Sequence, residues 1–380
     1  MNIDYTLLST LNLIFLFQGV LLGTLLILLN KKGGRKTLFL GIFIILFGLT
    51  YIPDIIDELG LLAYYPKLEF LPLDFTWSIF PMLYLYVKDI SVFSSPKKYW
   101  ILVPGIIEFL QGIGMLFLDL DSIIEYSDSF LYNLIPITGV LFSFILVFNI
   151  YLLSKKHIKV LNNQYSSIEY KEFKWVKYFS IAILSYFIFT FIFLISIVIF
   201  FDIDETDNNL FIIAISIINF LFIFFASFRG ILQQNVSLLI PEKKIEVKDI
   251  QNIEQPPKKI QKEISPSDLE TVDKIQAIVV ENLLYKKVDL TIVDVSKMMD
   301  AHPKTISSLL NTVLNLNFNQ FINNYRIDAA KDLLLENKTN NYTIEGIAYE
   351  VGFKSKSSFY TAFKKNTNMT PVQYKNTNIQ

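Results

Sequence analysis

The 380-residue sequence has no cysteine, and it has only two histidines, His157 and His302. Without cysteine the chain can form no disulfide, and it offers neither a thiolate ligand nor a thiol nucleophile. Two histidines far apart in the sequence cannot build a zinc centre, which takes three or four protein ligands. These absences exclude thiol redox chemistry and zinc chemistry, and we expect neither a metal nor a cofactor.

Charged residues are scarce as well. They make up 18% of the chain, whereas soluble domains carry about a quarter. Hydrophobic residues make up 52%, the mean hydropathy is +0.43, and the chain contains 34 Phe, 20 Tyr and 3 Trp. Aromatic side chains supply lipid-facing bulk and interfacial anchors in membrane proteins. The composition therefore indicates a membrane protein.

Long apolar runs are confined to the first part of the chain. A helix that crosses about 30 Å of hydrocarbon needs roughly 20 residues, and seven runs approach that length. We predict spans at approximately 6–29, 38–56, 70–87, 99–118, 131–153, 178–201 and 210–229. The first is not a cleavable signal peptide, because no basic residue precedes it and its apolar core is too long.

The loops between these runs differ in charge. The loops after the first, third and fifth predicted spans contain thirteen lysines and arginines, whereas the loops after the second, fourth and sixth contain only Lys67. Loops rich in Lys and Arg stay on the cytoplasmic side. The sequence therefore predicts a multi-pass protein of the cytoplasmic membrane, with its N-terminus outside and everything beyond Arg229 in the cytoplasm.

The composition changes after the last span, which divides the chain into three predicted regions. Residues 1–232 form a seven-span membrane domain. Residues 233–270 mix charges of both signs with four prolines, and such a segment cannot bury a core. We interpret it as a tether with a root-mean-square reach of roughly 30 to 40 Å. Residues 271–380 form a small helical domain.

The helical domain contains two helix-turn-helix patterns. In the first, Thr291 and Asp294 have the spacing of a capping box, and Pro303 suits the first position of a second helix. A longer amphipathic helix follows over residues 317–337. In the second pattern Thr343 caps a helix that ends at Gly352, and a final helix follows it.

The second helix of each pattern, with its entry turn, is rich in basic and short polar side chains. Basic side chains neutralise phosphates, and hydroxyl or amide groups reach base edges in the major groove. For any one lysine, a solvated helix face is an equally good explanation, but two spaced polar helices are what DNA recognition requires. The predicted DNA-contacting residues are Lys304, Thr305, Ser307, Ser308, Lys354, Lys356, Ser357, Ser358, Tyr360, Thr361, Lys364 and Lys365, with Asn311 beside them.

The segments RIDAAKDLL (326–334) and TIEGIAYEVGFKSKSSFYTAFKKNTNMTPVQYK (343–375) strongly resemble the DNA-binding domain of the AraC/XylS family of bacterial transcription regulators. The resemblance implies two helix-turn-helix units joined by a linker helix, with recognition helices at about 303–313 and 356–366 in successive major-groove turns. It also implies promoter DNA and RNA polymerase as partners. The part before residue 233 resembles a subgroup of these regulators that carries a multi-span membrane domain.

Three residues depart from the family pattern. Asn315 and Asn368 stand where the family usually has glycine, and asparagine is the next-best residue for a left-handed helix end. His302 stands where the family usually has serine, and it is a weaker cap. We therefore expect the fold to survive these changes.

Polar residues inside the predicted spans are the only clues to a signal. Asp74 lies in the third span, and Glu108 and Gln111 lie in the fourth. Intramembrane carboxylates are costly and hint at a function. An interfacial position explains Asp74 better than a function does, and the same holds for Asp54 near the outer end of the second span. A structural hydrogen bond explains Glu108 equally well. Asp74, Glu108 and Gln111 are thus candidate ligand-binding residues for an unknown small molecule or envelope signal.

The sequence predicts an all-α protein: a seven-helix transmembrane bundle plus a small cytoplasmic domain with two helix-turn-helix units joined by a linker helix. We expect a one-component transcription regulator and not an enzyme, with promoter DNA, membrane lipid and a second copy of the chain as candidate partners. Two alternatives stay open. One is a transporter-like protein with a DNA-binding appendage, and the other is a structural anchor whose DNA-binding domain is released by proteolysis.

Overall fold

The structure of the chain is a computed structural model. It describes residues 6–30, 36–91, 93–94, 99–168, 174–200, 209–237, 245–246, 265–335 and 343–378. The chain divides into two compact units. The N-terminal unit comprises residues 1–155 and 173–246. The C-terminal unit comprises residues 247–380 together with residues 156–172.

The described part of the N-terminal unit is helical apart from one short strand pair. Its helices are α1 (Leu7–Asn30), α2 (Leu38–Leu49), α3 (Ile52–Glu58), α4 (Ile79–Ile90), α5 (Val103–Met115), α6 (Leu120–Ser127), α7 (Phe130–Gln164), α8 (Lys174–Phe200) and α9 (Asn209–Ser237). The strands β1 (Phe93–Ser94) and β2 (Ile245–Glu246) are parallel, with Phe93 opposite Ile245. The prediction of a mostly helical fold is confirmed.

Helices α1 and α2 approach each other closely because glycines line their contact. A Cβ atom on Gly23 would lie 2.6 Å from the carbonyl oxygen of Gly41, and one on Gly19 would lie 2.8 Å from the Cα atom of Gly48. Small residues that let two backbones meet are the usual means of joining apolar helices that have no hydrophobic driving force between them. Leu26, at the same contact, is fully buried.

Among the residues that the structure describes, five helical segments are long and apolar enough to cross a membrane. They are Leu7–Asn30, Leu38–Glu58, Phe130–Gln164, Lys174–Phe193 and Ile213–Leu232. The third predicted span contains most of α4, a helix of 12 residues, and the fourth contains the apolar helical segment Tyr99–Met115, of which α5 is the larger part. Helical segments of these lengths rise roughly 18 and 26 Å, less than the hydrocarbon thickness. The count of seven spans is therefore not confirmed.

The C-terminal unit contains seven helices among its residues from 265 onward that the structure describes. They are α10 (Pro266–Glu281), α11 (Ile292–Met298), α12 (Pro303–Val313), α13 (Phe318–Leu335), α14 (Ile344–Glu350), α15 (Lys356–Thr367) and α16 (Pro371–Asn378). Helix α10 begins inside the segment that the sequence assigns to the tether. Ser265 and Asp268 form a capping box at its start.

Helix α13 contributes to two separate hydrophobic cores. Its first half supplies Phe318, Phe321 and Ile322 to a core that includes buried residues of α10, α11 and α12. Its second half supplies side chains such as Leu334 to a core that includes Phe359 and residues of α14. Since apolar burial drives folding, α13 is the element that joins two small helical cores.

Candidate nucleic-acid interface

The first helix-turn-helix unit consists of α11 and α12. The predicted capping box at the start of α11 is confirmed, because Thr291 Oγ1 accepts a hydrogen bond from the Asp294 backbone and the Asp294 carboxylate accepts one from the Thr291 backbone. Pro303 occupies the first turn of α12, and His302 caps it: Nδ1 accepts from the Lys304 amide at 3.2 Å. The imidazole thus caps the helix at the position where the resemblance noted above led us to expect a serine hydroxyl.

The apolar and polar faces of α12 are clearly separated. Ile306, Leu309 and Leu310 are buried in the first core. The predicted DNA-contacting residues lie on the other face: Lys304, Thr305, Ser308 and Asn311 are exposed, and Ser307 is half-buried. The Asn311 amide donates to the Ser307 carbonyl at 2.6 Å.

The second unit consists of α14 and α15, and its ends match the sequence prediction. Thr343 Oγ1 accepts from the Gly346 amide at 3.0 Å. Gly352 has a positive φ of 93° after α14, and Ser355 caps α15 by accepting from the Ser358 amide at 3.2 Å. Asn368 ends α15 with a φ of 59°, which confirms the left-handed position expected there.

Helix α15 presents a mostly basic outer face. Lys356, Ser357, Thr361, Lys364 and Lys365 are exposed, whereas Lys354, Ser358 and Tyr360 are half-buried. Phe359 and Phe363, on the opposite face, are fully buried.

Several of these predicted side chains already have partners within the chain. The Ser358 hydroxyl donates to the Ser355 carbonyl at 2.8 Å, so it belongs to the helix cap. The Lys354 ammonium lies 3.7 Å from the Asp289 carboxylate. The Lys356 ammonium lies 5.8 Å from the centre of the Tyr360 ring. Helix α15 thus offers exposed lysines at both ends, with Ser358 committed to its first turn.

Arg326 connects the two helix-turn-helix units. The sequence analysis did not identify it as a functional residue. It lies on α13 and is only 1% exposed. Its Nε donates to the Tyr285 carbonyl at 2.7 Å and its Nη2 to the Lys287 carbonyl at 2.9 Å. Its guanidinium also lies 5.4 Å from the centre of the Phe353 ring. One side chain therefore contacts the loop before the first unit and the turn of the second.

Further contacts hold the same two segments together. A Cβ atom on Gly352 would lie 2.6 Å from the Tyr285 carbonyl oxygen. The Lys286 ammonium lies 2.9 Å from the Glu350 carboxylate. The turn of the second unit therefore packs directly on the loop at residues 285–287, and any side chain at position 352 would have to displace it.

The sequence contains a pattern that could have identified Arg326 as a buried, hydrogen-bonded residue. The residue lies four positions after Ile322 and four before Ala330, both of which are fully buried. Positions four apart share one face of a helix, so the arginine lies in the middle of an apolar stripe. A charged residue at such a position needs several hydrogen-bond partners.

The three candidate ligand-binding residues of the N-terminal unit are only partly brought together. Glu108 Oε2 accepts from the Trp77 amide at 3.2 Å, which places α5 against the segment that holds Asp74. The Asp74 carboxylate accepts from the Thr76 amide and hydroxyl, and the Gln111 amide donates to the Tyr126 hydroxyl at 3.1 Å. Within the described part of the chain, no group of three His, Asp or Glu side chains is arranged to hold a metal.

The C-terminal unit resembles a known protein family. A family model described as "Helix-turn-helix domain" matches residues 295–377. The "Histidine kinase P4" of Formosa agariphila is 34% identical over 113 residues, which are 30% of this chain and 8% of that protein. An HTH-type transcriptional regulator encoded in the cgkA 5' region of Pseudoalteromonas carrageenovora is 43% identical over 63 residues, 17% of this chain and 35% of that protein.

A third relative is the HTH-type transcriptional regulator YtdP of Bacillus subtilis, 25% identical over 87 residues, which are 23% of this chain and 11% of that protein. The chain spans only a minor part of each of these relatives. The residues that the family model matches contain the two helix-turn-helix units. The C-terminal region of this chain, residues 295–377, is a helix-turn-helix domain of the AraC type.

Proposed function

We propose that this protein is a membrane-anchored, one-component transcription regulator that binds promoter DNA in a sequence-specific way and responds to a signal received by its N-terminal unit. One observation carries the proposal: two capped helix-turn-helix units on one linker helix stand in the same chain as five long apolar helices. The first feature suits major-groove recognition, and the second suits a bilayer.

The exposed lysines of α15 support DNA binding. Lys356 lies at the start of the helix, while Lys364 and Lys365 lie in its last turn. Phosphate contacts position a protein on DNA, and contacts to base edges specify the sequence. We assign phosphate contacts to Lys364 and Lys365, and base contacts to Lys356 together with the exposed polar residues of α12.

The proposed topology places the N-terminus outside and the C-terminal unit in the cytoplasm, where the DNA is. It follows from the basic loops. Because five and seven spans are both odd numbers, the two ends of the chain lie on opposite sides in either case. A reporter fused after Asp204 should report outside, and one fused after Asn235 should report inside.

The regulatory partners belong to the same proposal. RNA polymerase, a second copy of the chain and an unidentified small molecule or envelope signal complete the model, with Asp74, Glu108 and Gln111 as candidate signal contacts. No chemical step is assigned to the chain, since the proposed activity consists of binding alone.

DNA selection tests the proposed function. The full chain is placed in lipid nanodiscs and incubated with a random pool of duplex DNA, and the retained sequences are determined. We expect a defined motif and an affinity that falls steeply as salt rises, because neutralised phosphates release counterions.

The matched control is a lysine that is away from both recognition helices. Lys274 is exposed on α10 beside Glu270, so Lys274→Ala removes the same charge as Lys364→Ala. We expect Lys364→Ala to weaken binding and Lys274→Ala to leave it nearly unchanged. Retention of DNA without any enriched motif, or equal losses in the two variants, would contradict the proposal. A soluble C-terminal fragment in cells would favour release by proteolysis.

A further inference from the structure

The end of helix α7 and the residues directly after it lie against the DNA-binding domain. Residues 156–172 group with the C-terminal unit, although 74 residues separate them from Val247, where the rest of that unit begins. Tyr165 forms an antiparallel bridge with Thr291, the cap of α11. The Ser166 amide donates to the Leu290 carbonyl at 3.0 Å. The segment thus pairs with Leu290 and Thr291, the residues directly before the first helix of the first helix-turn-helix unit.

Ser166 also binds the linker helix. Its carbonyl accepts from the Asn319 amide at 2.7 Å and from Arg326 Nη1 at 3.4 Å. Its hydroxyl accepts from Arg326 Nη2 at 3.2 Å. Ser166 and Arg326 are each only 1% exposed. The serine therefore fits a site that is almost completely closed around it.

The site lies at the junction of the two helix-turn-helix units. Arg326 binds the carbonyls of Tyr285 and Lys287, and it lies over the ring of Phe353 in the second unit. Ser166 binds the same guanidinium. A segment from the loop before α8 is thus built into the contact that sets how the two units are arranged.

The segment is connected to a candidate membrane span without interruption. Helix α7 is one helix of 35 residues, and it contains the fifth predicted span. It ends at Gln164, immediately before the docked residues. The apolar run ends at about residue 153, so about 15 to 20 Å of helix separates it from Ser166.

The docked segment leaves the predicted DNA-contacting faces uncovered. It contacts α13 and the residues around 288–291, whereas the exposed lysines and hydroxyls lie on α12 and α15. The contact is also polar, and hydrogen bonds exchange with water at a modest net cost. These two properties suit a contact that forms and breaks while the domain stays folded.

We propose that Tyr165 and Ser166 form a latch, which holds the DNA-binding domain close to the membrane in a state of low DNA affinity, and that the signal acts by releasing it. The proposal rests on the proposed function and adds its regulation. With the latch closed, only the short end of α7 links the domain to the fifth predicted span, which keeps the domain within reach of lipid headgroups whose negative charge repels DNA. With the latch open, the domain is held only by the tether proposed for residues 233–270, whose greater reach lets both units engage DNA.

A reversible cross-link tests the latch, because the chain has no cysteine of its own. The bridge between Tyr165 and Thr291 is flanked by the hydrogen bond from Ser166 to Leu290. Paired residues of this kind have Cα atoms about 4.5 Å apart, which is within the range of a disulfide. The variant Tyr165→Cys/Thr291→Cys should therefore close the latch covalently when oxidised.

The measurement is the affinity of the full-length variant, in nanodiscs containing anionic lipid, for a DNA motif selected as described above. We expect oxidation to weaken binding at least tenfold and a reductant to restore it. The variants Tyr165→Cys and Thr291→Cys, treated alike, control for the loss of the tyrosine and of the helix cap. Equal or tighter binding in the oxidised form would overturn the latch and leave DNA binding intact. Absence of specific binding in every form, the unaltered chain included, would instead overturn the proposed function.

A second pair of variants opens the latch. Ser166→Ala removes the hydroxyl that binds Arg326, and combining it with Asn319→Ala removes a second hydrogen bond. Ser167→Ala is the matched control, because it makes the same change at the next residue. We expect the double variant to bind the motif several-fold more tightly than the unaltered chain and Ser167→Ala to match it. Unchanged or weaker binding by the double variant, with thermal unfolding unaltered, would contradict the latch.

Discussion

The two helix-turn-helix units have the same fold, but different residues form their turns and helix caps. The turn of the first unit contains Asp300, with a φ of 49°, and its second helix is capped by His302. The turn of the second contains Gly352, packed on the Tyr285 carbonyl, and its second helix is capped by Ser355. Of the predicted DNA-contacting lysines, the first unit carries only Lys304. The second carries four, of which Lys354 has an acidic partner.

This difference indicates a division of labour. The second unit is fixed to the rest of the domain through Gly352 and Phe353, and it provides most of the positive charge. The first unit presents mainly hydroxyl and amide groups. Since charge gives affinity and groove contacts give specificity, we expect the second unit to dominate binding strength and the first to contribute mainly to sequence preference.

The largest expected effect comes from the residue that joins the units. Arg326→Ala leaves the carbonyls of Tyr285 and Lys287 without their donor and creates a cavity at the junction. We expect a loss of about 2 to 5 kcal/mol in unfolding free energy. Arg326→Lys keeps the charge but loses the forked geometry, so it should lose nearly as much. Urea denaturation of residues 265–380, which we expect to fold alone, measures both variants. A loss below about 1 kcal/mol would contradict the junction role.

The next largest effect concerns how much the lysines of each helix-turn-helix unit contribute to DNA affinity. We expect Lys364→Ala/Lys365→Ala to reduce affinity for all DNA sites and to flatten the dependence of log affinity on log salt by about one to two units. Lys304→Ala should flatten it by at most one. Titrations at several salt concentrations provide these slopes. A greater flattening by Lys304→Ala than by the double variant would reverse the proposed division.

A smaller effect concerns base reading within α15. Lys356 is exposed at the start of the helix, while the Ser358 hydroxyl is bound to the Ser355 carbonyl. We expect Lys356→Ala to lose about 1 to 3 kcal/mol of discrimination at one base pair. Ser358→Ala should leave sequence preference unchanged and cost stability instead. Competition binding with single-base variants of the motif measures both. A change in preference with Ser358→Ala would show that its cap bond yields to DNA.

The smallest effect concerns the cap of the first unit and its pH dependence. Partial burial raises the pKa of the Asp294 carboxyl. Hydrogen bonds from Thr291 and the nearby ammonium of Lys287 lower the pKa by more than burial raises it, so the pKa lies below its usual value. The carboxylate therefore stabilises the fold above the unfolded-state pKa of about 3.9, and this contribution disappears as the pH falls through the folded-state pKa.

We expect Asp294→Asn to cost about 1 kcal/mol or less at pH 7 and progressively less as the pH falls below the unfolded-state pKa toward the folded-state pKa. Thermal unfolding of residues 265–380 between pH 3 and pH 7 gives the comparison. A loss that is the same at both ends of that range would show that the ionised carboxylate contributes nothing.

The parts of the fold that depend on local chemistry were predictable. Thr291, Thr343, Gly352 and Ser355 occupy the cap and turn positions that their residue types favour, because capping involves only neighbours three or four residues apart. The helices of both units followed from the same signals and from the family resemblance.

The parts that depend on distant contacts were not predictable. Hydropathy gave long runs at 70–87 and 99–118, but it does not show where an apolar segment leaves the helix, and α4 begins only at Ile79. The contact between Ser166 and Arg326 joins residues 160 positions apart through polar atoms. Such a pair has no periodicity along the sequence, so only the folded chain reveals it.

The most direct test of the regulator model measures DNA bound by the full-length chain in its membrane. Cells expressing the chain are cross-linked, the membrane fraction is isolated, and the DNA attached to the protein is sequenced for the unaltered chain and for Lys356→Ala/Lys364→Ala. The model predicts enrichment of a few promoter regions that share one motif, and loss of this enrichment in the variant at equal protein amount. Membrane-bound protein without enriched promoters, or the same promoters with both proteins, would contradict it.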